Sequence, residues 1–76
     1  MDWTAVIEEK RIWVVCFDLK NEPLFCSAFL TRSGAMERVT EHMEGEEEDW
    51  TQIDEFLWEH RNGRDRIAID HAPIGT

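Results

Sequence analysis

Two periods of hydrophobic positions divide the 76-residue chain. From Arg11 to Leu19, RIWVVCFDL is a nearly continuous apolar run rich in β-branched and aromatic side chains, the composition of a strand. Both of its alternating sets are apolar, Trp13, Val15 and Phe17 on one side and Ile12, Val14 and Cys16 on the other. That pattern predicts a strand covered on both faces. Asn21 and Pro23 interrupt the run in KNEP, and LFCSAFLT, residues 24–31, returns as a second strand, so the pair reads as a hairpin. WTAVIE, residues 3–8, is either a third strand or the start of the first, with EEKR as a weak turn.

Beyond Ser33, a suitable N-cap, the period changes. Met36, Val39, Met43, Trp50, Ile53 and Leu57 fall on one heptad seam, whose phase survives Gly45. A single helix over 34–61 would be about 40 Å long at ~1.5 Å per residue, long for so short a chain. Gly45 suits a helix C-cap, Asp49 with Gln52 resembles a capping box, and Glu46 would otherwise sit in the seam. The balance favours two helices. NG at 62–63 ends the second, DRIAID at 65–70 forms a short closing strand, and HAPIGT is expected to be loose. The expected fold is one small α+β domain over residues 1–76. It has an antiparallel sheet of three to four strands with one long or two shorter helices on one face, in the order β(β)-α-α-β. Val14, Phe17, Phe25, Phe29, Val39, Ile53 and Leu57 are its expected core.

Composition sharpens this picture through charge. The net charge is −9, and between Glu37 and Glu59 ten acids face one base, Arg38, so the whole excess lies in that segment. Direct binding to nucleic acid or to an anionic membrane requires clustered Lys and Arg, and is excluded. A basic partner is favoured instead. The longest apolar run, IWVVCF, is too short to span a bilayer, and no secretory signal follows Met1. Two cysteines make no disulfide framework, so the chain reads as cytoplasmic with reduced thiols. Four Trp and four Phe give a small core large, rigid pieces. A chain of this length draws only ~3–5 kcal/mol from its core, so self-association would add stability.

Projected on a helix, Glu37, Glu41, Glu44, Glu48, Glu55 and Glu59 form a band opposite the seam, while Glu46, Glu47, Glu48 and Asp49 open the second helix, where the dipole favours acids. Only Arg38 and Arg61 stand near enough in sequence to offset the repulsion along that band. Nine net charges over 23 helical residues approach the phosphate spacing of one DNA strand, ~3.4 Å. The candidate partner-binding residues are therefore Glu37, Glu41, Glu44, Glu47, Glu48, Asp49, Glu55, Trp58 and Glu59. Trp58 is either an anchor beside the acids or a ring buried by the sheet.

Catalytic, cofactor and metal chemistry find no motif. His42, His60 and His71 lack ligand spacing, the acidic run lacks the register of a calcium loop, and Asp70-His71 carries no catalytic claim. Cys16 and Cys26 face each other if the hairpin centres on Asn21, as free thiols by default. A helix-turn-helix reading fails because Asp54, Glu55 and Glu59 would repel phosphate. The expected function is a non-catalytic, intracellular protein-binding module that occupies a basic, nucleic-acid-binding surface of a partner protein. In size and acidity the chain resembles, as a class, the inhibitors that phages and mobile elements direct against restriction and CRISPR machinery. The alternative is a structural protein that homodimerises through a strand edge or a helix seam.

Overall fold

The computed structural model describes residues 10–74. The expected strand at 3–8 lies outside them. Five strands and one helix follow in the order β1 (Arg11–Asp18), β2 (Phe25–Phe29), α1 (Arg32–Met43), β3 (Trp50–Asp54), β4 (Leu57–His60) and β5 (Arg66–Pro73), with one 3-10 turn at Glu47–Asp49 before β3. The strands make one antiparallel sheet in the spatial order β2-β1-β5-β4-β3. Helix α1 therefore leaves from one edge strand and delivers the chain to the other.

The first hairpin follows the sequence. Asn21 stands at its apex with φ 64°, a left-handed conformation that asparagine tolerates well. Phe17 pairs with Phe25 and Cys16 with Cys26. The helix N-cap is Thr31 rather than Ser33: its hydroxyl accepts the Gly34 N–H at 3.0 Å. At the other end Glu44 is the C-cap and Gly45 follows at φ 87°, where a side chain would be strained. The helix that the seam carried past Gly45 stops there.

The second helix does not exist, which corrects the expected β(β)-α-α-β order to β-β-α-β-β-β with five strands. Residues 50–60 instead form the β3–β4 hairpin around Glu55 and Phe56. The physical cause is a bulge between Gln52 and Asp54, which shifts the register and breaks the two-residue period that marks a strand. The three- and four-residue spacing of Trp50, Ile53 and Leu57 is what remains, and it mimics a helix. Ile53 is 52% exposed, so the supposed seam has no common buried face. The tail is also corrected: His71, Ala72 and Pro73 pair with Trp13, Ile12 and Arg11, and Ile74 N–H donates to the Lys10 carbonyl at 2.8 Å.

Val15, Phe17, Ile67 and Ile69 cover the centre of one sheet face, and Ala35 and Val39, one helical turn apart, close over it from α1. Trp50 and Trp58 extend this core towards β3 and β4. Of the expected core, Phe17 and Val39 are buried, while Val14, Phe29 and Leu57 are half-buried and Phe25 and Ile53 are exposed. Val14 misses because its neighbour Val15 takes the helix side. On the opposite sheet face Ile12 is exposed and Val14 and Cys16 are only half-buried, so among the described residues a helix covers one side alone. No described helix is long and apolar enough to cross a membrane.

Candidate functional site

The acidic residues divide into two groups once the second helix is replaced by strands. Asp49, Glu55 and Glu59 are held by cations that the sheet brings from elsewhere in the chain. Arg61 Nε lies 3.1 Å from Asp49 and Arg32 lies 3.0 Å from Glu55, while Arg66 lies 3.8 Å from Glu59. Glu59 and Arg66 are directly opposed on β4 and β5, a cross-strand pair that helical spacing conceals. Arg32 also lies over the Phe56 ring at 5.2 Å, which ties the β3–β4 turn to the start of α1.

The second group stays together and unpaired. Glu37, Glu41 and Glu44 stand on the exposed side of α1, and Glu46, Glu47 and Glu48 continue from its end into the 3-10 turn. None of the six has an ion-pair partner among the described residues. The favourable dipole assigned to Glu46–Asp49 is lost with the second helix. Glu41 and Glu44 occupy the C-terminal turn of α1, where the partial charge is negative and a carboxylate is disfavoured. The even spacing of charge along a 23-residue helix disappears as well. What replaces it is a surface of six unpaired carboxylates in a stretch of twelve residues, 37–48.

Trp58 does not join this surface. It is 5% exposed, packed in the core on β4, the second of the two placements that the sequence allowed. The structure thus leaves Glu37, Glu41, Glu44, Glu47 and Glu48 exposed and unpaired, adds Glu46, keeps Asp49 beside Glu46 but paired with Arg61, and places Glu55, Trp58 and Glu59 on the β3–β4 hairpin.

Two further features were not visible in the sequence. Glu46, Asp49 and His60 place one potential ligand atom each within 4.8 Å of one another. Their chemistry opposes a metal: Asp49 is paired with Arg61, and His60 Nδ1 accepts the Asn62 N–H at 3.1 Å. A neutral His60 then carries its proton on Nε2 and offers no free lone pair. The second is a cavity of about 300 Å³ between the first hairpin and α1, with Phe17, Phe25, Glu22, Arg38 and His42 in its wall. Arg38 and His42 both stack on the Phe17 ring, at 4.7 and 4.8 Å, and so are spent on packing. No nucleophile with a partnering base lines it. No local spacing signals this cavity, since it depends on a helix crossing a hairpin.

No protein-family model matches the chain, and no characterised protein or solved structure is detectably similar to it.

Proposed function

We propose that the chain is a non-catalytic, cytoplasmic protein-binding module whose six unpaired carboxylates dock on a basic protein surface of the kind that holds nucleic acid. The observation that supports this reading is the electrostatic cost of the arrangement. The fold supplies arginines to Asp49, Glu55 and Glu59, yet leaves Glu41 and Glu44 unpaired at the negative end of α1. A surface needed only for solubility mixes its signs. Binding would proceed by long-range steering followed by pairing with Lys and Arg, and occupancy would be the mechanism of inhibition.

The test is competitive capture. The immobilised protein is exposed to nuclease-treated lysate, and bound protein is challenged with salt and then with duplex DNA. The expected result is a nucleic-acid-binding protein that either challenge releases. Capture of that protein should fail with the Glu41→Gln/Glu44→Gln/Glu47→Gln/Glu48→Gln variant. A partner retained equally by that variant, or indifferent to DNA, refutes the reading.

A further inference from the structure

The two edges of the sheet are treated very differently. Edge strand β3 carries a bulge and ends on Asp54, and the acidic 3-10 turn leads into it, devices that block pairing with another strand. Edge strand β2 has none of these. From Leu24 to Leu30 it holds no charge, no proline and no bulge, and Leu24, Phe25 and Leu30 are 67%, 55% and 77% exposed. Its outer backbone groups have no strand partner among the described residues.

The sequence of this edge is close to a palindrome. Leu24-Phe25-Cys26-Ser27-Ala28-Phe29-Leu30 reads the same from both ends apart from the exchange of Cys26 for Ala28, both small. In an antiparallel pair of identical strands about a two-fold axis, residue i meets j and j meets i. With the axis at Ser27, Ser27 opposes itself, Cys26 opposes Ala28, Phe25 opposes Phe29 and Leu24 opposes Leu30. Beyond the strand, the hairpin turn of one copy, which holds Glu22, comes to the start of α1 in the other, which holds Arg32. The apolar pairing therefore ends beside an acid from one copy and a base from the other at each end of the contact. Glu22 is exposed and has no ion-pair partner among the described residues, and the Arg32 side chain is 54% exposed beside Glu55. Faces agree as well. Phe25, Ser27 and Phe29 pair with Phe17, Val15 and Trp13 of β1 and share their helix-covered side, while Cys26 and Ala28 share the open side with Cys16 and Val14.

We infer that β2 is a homodimerisation strand: two copies of this chain join antiparallel across Ser27 to form a ten-stranded sheet. This site shares no residue with the acidic surface and does not depend on its function. Two short edge strands with their flanking side chains make an interface at the small end of the specific range, so the dimer should dissociate at micromolar concentrations.

Sedimentation equilibrium of the full chain reads the mass directly, with 9.0 kDa for one chain and twice that for the dimer. The expected result is a reversible doubling of mass with concentration. A single-chain mass up to ~1 mM overturns the proposal, whatever else then covers the edge. Register is tested by crosslinking in a Cys16→Ser/Cys26→Ser background. Directly opposed residues lie within disulfide reach, so adding Ser27→Cys should yield an oxidised covalent dimer, whereas Thr51→Cys on β3 should not. Equal crosslinking of both, or none at Ser27, overturns the two-fold at that residue. Charge reversal gives a third reading. Glu22→Arg alone and Arg32→Glu alone should each weaken the dimer several-fold, and the two together should restore it. Failure of the double variant to recover, when its circular dichroism matches the parent, removes the proposed register.

Discussion

Neutralising Glu41 and Glu44 should make the protein more stable, because the fold places both where their charge is unwelcome. Each stands in the last turn or cap of α1, where a carboxylate costs ~0.3–1 kcal/mol, and both are exposed, which selects the lower figure. Glu37 and Glu41 are one helical turn apart, and Glu41 and Glu44 three residues apart, so two like-charge pairs add ~0.2 kcal/mol each at the low end of their range. For Glu41→Gln/Glu44→Gln the two dipole contributions and two pair contributions sum to about 1 kcal/mol. In a domain of this size that corresponds to a rise in Tm of ~4–8 °C. Glutamine keeps the length and nearly the helix propensity of glutamate, so little else changes. Thermal melting followed by circular dichroism at low salt measures the shift. A repeat at 1 M salt, where the screening length falls to ~3 Å, should erase most of it. An unchanged or lowered Tm at low salt would mean that the carboxylates are already balanced. They would then not be retained at a cost to stability.

Three other outcomes test the fold. Val15→Ala should cost roughly 2 kcal/mol and Val14→Ala less than half as much, since the two neighbours face opposite sides of β1 and only Val15 is fully buried; chemical denaturation compares them. Asp65 accepts the Lys20 backbone N–H at 2.7 Å, and this bond, with Asn62 adding to it, lowers its pKa below the ordinary 3.8. A depressed carboxylate contributes stability that is present above its unfolded pKa and lost as pH falls through the folded one. Asp65→Asn should therefore flatten the acid limb of the stability–pH curve below about pH 4, and an unaltered limb counts against the bridge between the two turns. Burial, with the adjacent Cys26, pushes the Cys16 thiol up to about 11. Its thiolate fraction at pH 8 is then about one in a thousand, so mass spectrometry should find iodoacetamide on exposed Cys26 well before Cys16.

What the sequence disclosed depended on whether the forces were local. Asn21 set the first hairpin and the Cys16–Cys26 register, and Gly45 ended the helix, each through backbone preferences that one or two residues decide. The β3–β4 hairpin was hidden because its bulge erased the alternation that identifies strands, and because an edge strand with only Trp50 buried has little pattern to show. Partners for the acids were hidden for the same reason. A search at helical spacing finds Arg38 and Arg61, whereas Arg32 and Arg66 reach Glu55 and Glu59 only after strands have folded back on each other. The acidic segment itself was legible from charge alone, but its division into paired and unpaired halves was not.

The crossover of α1 gives the two proposed surfaces their relation. The helix begins at Thr31, directly after edge strand β2, and its acidic C-terminal end leads through the 3-10 turn into β3 at the opposite edge. On the way α1 packs along β1 and β2, with Arg38 and His42 over Phe17 beside the first hairpin, so pairing two copies through β2 would bring the two helices towards the two-fold. At the contact itself the flanking residues, Glu22 of one copy and Arg32 of the other, carry opposite signs. The acidic 3-10 turn leads into the blunted edge, whereas the bare edge carries no acid from Leu24 to Leu30. An acidic surface made for a foreign partner and an edge made for a second copy can coexist on one small sheet, since they share no residue.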